Sequence, residues 1–276
     1  MAKLFSPQKS SGYPLGGREL LVLAGFLACL LLACAVYVLW LPDVKELKTK
    51  NPVETSFMRI KERQARAQGK KLGRRLTWTA WGGISENLKH AVLVAEDDGF
   101  YGHKGVDWES TKKALETDWK EKRFAKGGST ITQQVARNLY LSPSKNPLRK
   151  IKELLIARRL EQELGKRRIF EIYLNIAEWG KGIYGAQAAA EAYFGKNAAD
   201  LTPEESAALA AALPSPRRYN PTGGTRFMER QKSRIVARMR ASGYLPDELE
   251  TEDLDETFEV IASSEPAVET STAAAN

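Results

Sequence analysis

The sequence predicts a mainly α protein, one membrane-spanning helix followed by a single helical domain. Three observations point there. A run from Leu20 to Leu41 carries no charged residue. Beyond it, apolar residues recur at helical spacing, as at Ile131, Val135 and Leu139, the pattern of a helix with one buried face. Helix-start signals also precede apolar runs, above all Thr202-Pro203-Glu204-Glu205, which combines a capping box with proline in the first turn ahead of Ala207 to Leu213.

Composition agrees. A chain of 276 residues that is 43% hydrophobic and 28% charged has enough apolar material for a real core and is not a disordered chain. Net charge is +8, and ten acidic residues with no basic one lie between Asp247 and Glu269, so the first 245 residues carry +18. A balance of that size asks for an anionic partner: nucleic acid, an anionic membrane surface or a phosphorylated substrate.

Residues 1–19 are short and polar. The 22 residues 20–41 would form a helix of about 33 Å, against a hydrocarbon core of about 30 Å. The apolar stretch runs on through Tyr37, Trp40 and Leu41, too far for a cleaved signal peptide, so an uncleaved anchor is expected rather than lipidation at Cys34. Both cysteines, Cys29 and Cys34, fall inside the span, a distribution suited to an oxidising exterior. Lys45, Lys48 and Lys50 nearly offset the basic residues before the helix, so charge alone does not set the orientation. Residues 42–77 are basic and polar and read as a membrane-proximal segment lying on anionic headgroups. A folded domain is expected over 78–245, and 246–276 reads as an acidic, disordered tail.

Within the domain the most informative stretch is Lys126 to Asn138, KGGSTITQQVARN. Gly127 and Gly128 allow close backbone approach, Ser129 or Thr130 can cap a helix, and the first-turn N–H groups lack intrahelical partners. With Lys126 and Arg137 nearby, this reads as a phosphate site. Upstream, the apolar run Ala91 to Ala95 ends in Glu96, Asp97 and Asp98, followed by aromatics and glycines. A carboxylate in such surroundings gains basicity by desolvation, which a general base near neutral pH needs. His103 reads as structural beside this acidic loop. Downstream, Leu148, Ile151 and Leu155 suggest a buried helical stripe, with Arg149 and Lys150 sharing a face with Glu153.

Taken together these residues resemble a monofunctional biosynthetic peptidoglycan glycosyltransferase, related to the glycosyltransferase domain of class A penicillin-binding proteins. The blocks that carry the resemblance are EDDGFYGHKGVD (96–107), GGSTITQQ (127–134), RKIKE (149–153), KRRIFEIYLN (166–175) and a weaker one around Arg230 to Met239. They span roughly Ser56 to Met239, and Asp98 is the one departure noticed. The resemblance implies a lysozyme-like helical catalytic domain whose small lobe dips into the membrane. It implies polymerisation of lipid II, a lipid-linked disaccharide-pentapeptide, into β-1,4 glycan strands with inversion and release of undecaprenyl diphosphate, without transpeptidase activity. Glu96 matches the general base and Glu153 the second essential glutamate near the leaving diphosphate. Ser129, Thr130, Gln133, Gln134, Arg137, Lys145, Arg149 and Lys152 match residues that hold the diphosphate and sugars. A divalent cation, Mg or Mn, is expected near the diphosphate. The implied partners are lipid II, the growing lipid-linked glycan, the membrane and other wall-synthesis proteins. The implied location is the inner membrane, single-pass, with residues 1–19 cytoplasmic and the domain periplasmic.

Other classes fit less well. A membrane-anchored lysozyme-like glycan-cleaving enzyme would also use two carboxylates, but its substrate has no diphosphate to justify the cations. Ser142-Pro-Ser-Lys145 matches S-x-x-K, yet no K-T-G follows, and the length leaves no room for a transpeptidase domain. No zinc-ligand set or basic zipper supports nucleic-acid binding. A non-catalytic membrane scaffold would have no use for intact Glu96 and Glu153.

Overall fold

A computed structural model describes residues 17–70, 73–109, 111–112, 128–144 and 146–246. Lys126, Gly127 and Lys145, and the acidic tail from Asp247, lie outside the described residues.

Helix α1 (Gly17–Leu39) is long and apolar enough over Leu20–Leu39 to cross a membrane, and none of that stretch is buried by the rest of the chain. Such exposure would be costly for a soluble helix and is natural for one solvated by lipid. The chain then enters the core sooner than expected. Val44 and Leu47, beside the short 3-10 turn Lys45–Lys48, are buried in the main apolar cluster. Arg168 fastens the turn by donating to the carbonyls of Leu47 (2.8 Å) and Lys50 (3.1 Å). Helix α2 (Ser56–Ala67) is capped by Thr55, whose hydroxyl accepts from Met58 N, and it buries Met58. Strand β1 (Arg75–Leu76) pairs in parallel with β3 (Ile183–Tyr184), which pairs antiparallel with β2 (Glu178–Gly180). Residues 42–77 thus contribute Val44, Leu47, Met58 and strand β1 to the packed structure. Residues 42–77 looked too poor in apolar residues to join a core, but a few fully buried ones suffice, each contributing about 1.5–3 kcal/mol.

Helix α3 (Glu86–Glu96) is capped by Ser85 and lies against α8 (Pro203–Ala212) and α9 (Arg226–Ala241). The capping box of α8 is present as predicted, Thr202 accepting from Glu205 N and Glu205 from Thr202 N. Helix α4 (Ile131–Tyr140) packs on α5 (Pro147–Glu163), α6 (Lys166–Ile176) and α2, and Ile131, Val135 and Leu139 are buried as their spacing predicted. Helix α7 (Ala186–Phe194) covers the small sheet.

The stripe expected on α5 is elsewhere. Glu153, Ile156, Ala157 and Leu160 face inward, while Ile151 is 46% exposed. The helix is apolar on two sides, and the inward side is the one that encloses the Glu153 ion pairs. Its outer side runs beside α1, which contacts α5 directly.

Candidate active site

The last residue of α3 is Glu96. Its Oε2 accepts from Gln134 Nε2 at 2.7 Å, and the Gln134 carbonyl oxygen in turn accepts from the buried Tyr173 hydroxyl at 3.4 Å. Burial raises the Glu96 pKa above the ordinary carboxylate range; the Gln134 hydrogen bond and the positive charge of Arg137 oppose that rise. Glu96 is thus held by a neutral donor, in a place where a proton is easier to accept than in water. It opens on a cavity of about 230 Å³ lined also by Asp98, Ser129, Thr130 and Arg238.

Asp97, which also lines this cavity, is tied down from within the chain. Its Oδ2 accepts from Ile131 N at 2.8 Å, at the start of α4, and its carboxylate accepts from His103 Nε2 at 2.9 and 3.1 Å. His103 Nδ1 accepts from Gly105 N, so the ring proton sits on Nε2. Thr130 caps the same helix, accepting from Gln133 N while donating to Gly105 O at 2.7 Å. Gly105, at φ +89°, lies so close to α5 that an added Cβ would stand 3.3 Å from Ala157 O. The first amide of α4 is therefore occupied from within the chain. The sequence read this helix start as a phosphate site, but a carboxylate 34 residues upstream already holds its leading N–H. Thr130, expected to touch substrate, is 4% exposed and spends its hydroxyl on the cap and the Gly105 loop. His103 is held between Asp97 and Gly105.

On α5, Glu153 is 1% exposed and ion-paired twice, to Arg149 Nη1 (2.5 Å) and Lys150 Nζ (2.6 Å). Lys150 Nζ also donates to Ser129 Oγ and Gln133 Oε1, both at 3.1 Å, which uses all three of its N–H donors. Lys152, the lysine expected in the site, instead donates to Tyr37 O at 2.9 Å and sits 4.3 Å from the centre of the Tyr37 ring. It serves the C-terminal turn of α1, where a cation complements the helix dipole. The spacing carried a signal for this. Lys150, three residues before Glu153, shares its face, whereas adjacent residues do not face each other.

Gln134, Arg137 and Asn138 line a second cavity, of about 190 Å³, together with Lys61, Tyr173 and Glu178. Among the described residues the Arg137 guanidinium has no ion pair, while its charge is felt by Glu96 and Tyr173. The structure thus gathers Glu96, Ser129, Gln133, Gln134, Arg137, Arg149 and Glu153 around α4, with Lys150 added and Lys152 turned to α1.

The donor set around Glu153 does not suit a divalent cation. Both of its oxygens are taken by cations, and no group of three His, Cys, Asp or Glu that could hold a metal stands among the described residues.

A helical domain that sets one carboxylate in a desolvated cleft and a second among fixed cations is the outline of a glycosyl-transferring enzyme. Comparison with known proteins makes this specific. The family model described as Transglycosylase matches residues 63–240, and the chain belongs to that family. It is 47% identical over 216 residues to a protein of Azoarcus sp. named biosynthetic peptidoglycan transglycosylase, covering 76% of this chain and 92% of that one. Proteins of the same name from Dechloromonas aromatica (44% identical; 70% and 83% covered) and Chromobacterium violaceum (40%; 82% and 99%) are similar along most of their length.

Proposed function

We propose that this protein is a peptidoglycan glycosyltransferase that polymerises lipid II in cell wall synthesis, with Glu96 as its general base. The observation that supports this most is the setting of Glu96: desolvated, oriented by Gln134, and open to a cavity at the head of α4. The carboxylate takes the proton from the 4-hydroxyl of the acceptor sugar. That oxygen attacks the anomeric carbon of the lipid-linked donor, a new C–O bond forms from the opposite face, and the bond to the diphosphate breaks. Inversion from α to β follows from the single displacement.

The leaving group needs charge stabilisation more than a proton. Arg137 offers a guanidinium with no ion pair among the described residues, and Arg149 and Lys150 together outnumber the one carboxylate between them. In this reading Glu153 acts by holding those two cations in place, and Ser129 and Gln133 steer the Lys150 ammonium. Lys145 is expected to join them. Asp97, His103 and Thr130 fix the head of α4 and so the position of Gln134.

The apolar helix α1 anchors the chain in the inner membrane as a single pass, with the domain on the periplasmic side, where the lipid-linked substrate and growing glycan are met. The test is turnover of labelled lipid II by the full chain in detergent. Polymer that lysozyme digests is expected from the wild type. Shortening of preformed glycan without polymerisation would overturn the reading in favour of a cleaving enzyme.

A further inference from the structure

Beyond Arg137 the second cavity does not end. Its wall includes Lys61, and Lys61 also lines a wider basin of about 490 Å³ with Gln64, Gln68, Lys70, Lys181 and Arg217. Lys61 and Gln64 lie on α2 at helical spacing and Gln68 is its C-cap, so one polar face and the end of that helix form a side of the basin. Lys181 stands in the turn between β2 and β3, opposite. Among the described residues no carboxylate lines the basin. Glu178, at its edge, is shared between Lys61 and Arg217, which leaves the pair of cations in excess by one. Lys70 and Lys181 have no acidic partner among the described residues, and both side chains are exposed. Lys61 is held below the ordinary lysine range, by burial first.

The linings of the two cavities differ in a way that selects the ligand. A phosphate offers only acceptors, so the carbonyl oxygen of Gln64 would gain nothing from it, while that of Gln68 accepts from Lys70 Nζ at 3.4 Å. A peptide offers both N–H and C=O along its backbone and carboxylates at its end and side chain, which match amides and ammonium groups together. We infer that the basin of Lys61, Gln64, Gln68, Lys70, Lys181 and Arg217 binds the anionic peptide arm carried by the sugar whose ring occupies the cleft beside Gln134 and Arg137. The inference rests on the polymerase reading above and deepens it. The basin adjoins the cavity of Gln134 and Arg137 through the Lys61 side chain, which lines both.

The experiment compares two substrates on the full chain in detergent: lipid II with its peptide carboxylates free, and the same lipid-linked disaccharide with the peptide replaced by a methylamide. The variant is Lys70→Gln with Lys181→Gln; both positions are exposed, so the fold is retained, and a Lys181→Glu variant gives a second reading. The wild type is expected to favour the peptide-bearing substrate in kcat/KM by about fivefold, since exposed charge pairs contribute modestly and are screened. That preference should shrink toward one in the double variant, invert in Lys181→Glu, and weaken with salt in the wild type. Equal loss on both substrates, no preference in the wild type, or an unchanged preference in both variants would each overturn the inference. So would a loss that instead tracks sedimentation with phosphatidylglycerol vesicles, which would assign the basin to the membrane surface. A wild type that polymerises neither substrate would overturn the polymerase reading and this inference with it; the other outcomes overturn the inference alone.

Discussion

Glu96 and Glu153 are the same residue type, each tied to the first turns of helix α4, and their surroundings make them different reagents. Gln134 donates to Glu96, and Gln133, its neighbour in sequence, accepts from the Lys150 that clamps Glu153. Glu96 has a single neutral donor and a desolvated setting that raises its pKa, so it gains a proton readily and its charge is costly to hold. Glu153 has two cations within hydrogen-bond distance and almost no exposure, so its negative charge is fully employed in structure. A carboxylate that takes part in proton transfer is kept short of partners. One that positions other groups is supplied with them.

The sharpest break of this contrast is Glu96→Gln. Gln134 can still donate to the new amide oxygen, so the fold is kept, and polymerisation of lipid II should fall by at least about 10²-fold, the scale of a missing general base. Thermal unfolding should move in the opposite direction. Because the folded pKa of Glu96 is raised, its contribution to stability declines as pH rises from the ordinary carboxylate range through the folded pKa. The amide has no charged form, so Glu96→Gln should melt higher than wild type near neutral pH and alike at acid pH.

Glu153→Gln should do the reverse on stability. It leaves Arg149 and Lys150 unpaired on a buried site, and denaturant unfolding should show a loss of about 2–3 kcal/mol, under the 3–5 typical of a fully buried pair because Lys150 is partly exposed. Activity should fall as well, by about tenfold, with Lys150 no longer steered. A Glu153→Gln protein of wild-type stability but no activity would give Glu153 a direct part in the chemistry instead.

The two lysines of α5 sharpen the comparison further. Lys150→Ala should weaken a phosphoglycolipid inhibitor resembling the donor by about 1–4 kcal/mol in a binding titration, the scale of a charge a few ångströms away, since its three N–H donors are held within the chain and it acts on a phosphate by charge alone. Lys152→Ala should change that affinity by less than about 0.5 kcal/mol, as a substitution away from the site does. Equal effects from both would return Lys152 to the site. The smallest change is expected at Lys232, whose pair with Glu229 lies on the surface of α9 and whose removal should leave inhibitor affinity as it was.

Much of this architecture could be read before any coordinates, and for physical reasons. Helices with one apolar face announce themselves by spacing, which is why Ile131, Val135, Leu139 and the capped start at Thr202 stand where expected. A carboxylate at the end of an apolar helix, Glu96, is legible because burial there needs a reason. The occupation of α4's first amide by Asp97 was not legible, since nothing local links residues 34 apart. The early entry of Val44, Leu47 and Met58 into the core was hidden because a basic segment can still bury single residues. The inward face of α5 was misjudged because a helix apolar on two sides has no unique periodic answer, and the buried one carries a charged Glu153 that pattern-reading assigns to the surface.

The most direct measurement of the central claim is the pH dependence of kcat/KM for lipid II in the wild type and in Gln134→Leu. In the wild type the rate should fall on the acid side with an apparent pKa above the ordinary carboxylate range, because the base must be ionised. Removing the Gln134 hydrogen bond, which favours the charged form of Glu96, should carry that acid limb to still higher pH. An acid limb in the ordinary carboxylate range that stays put in Gln134→Leu would contradict the assignment of Glu96 as the base.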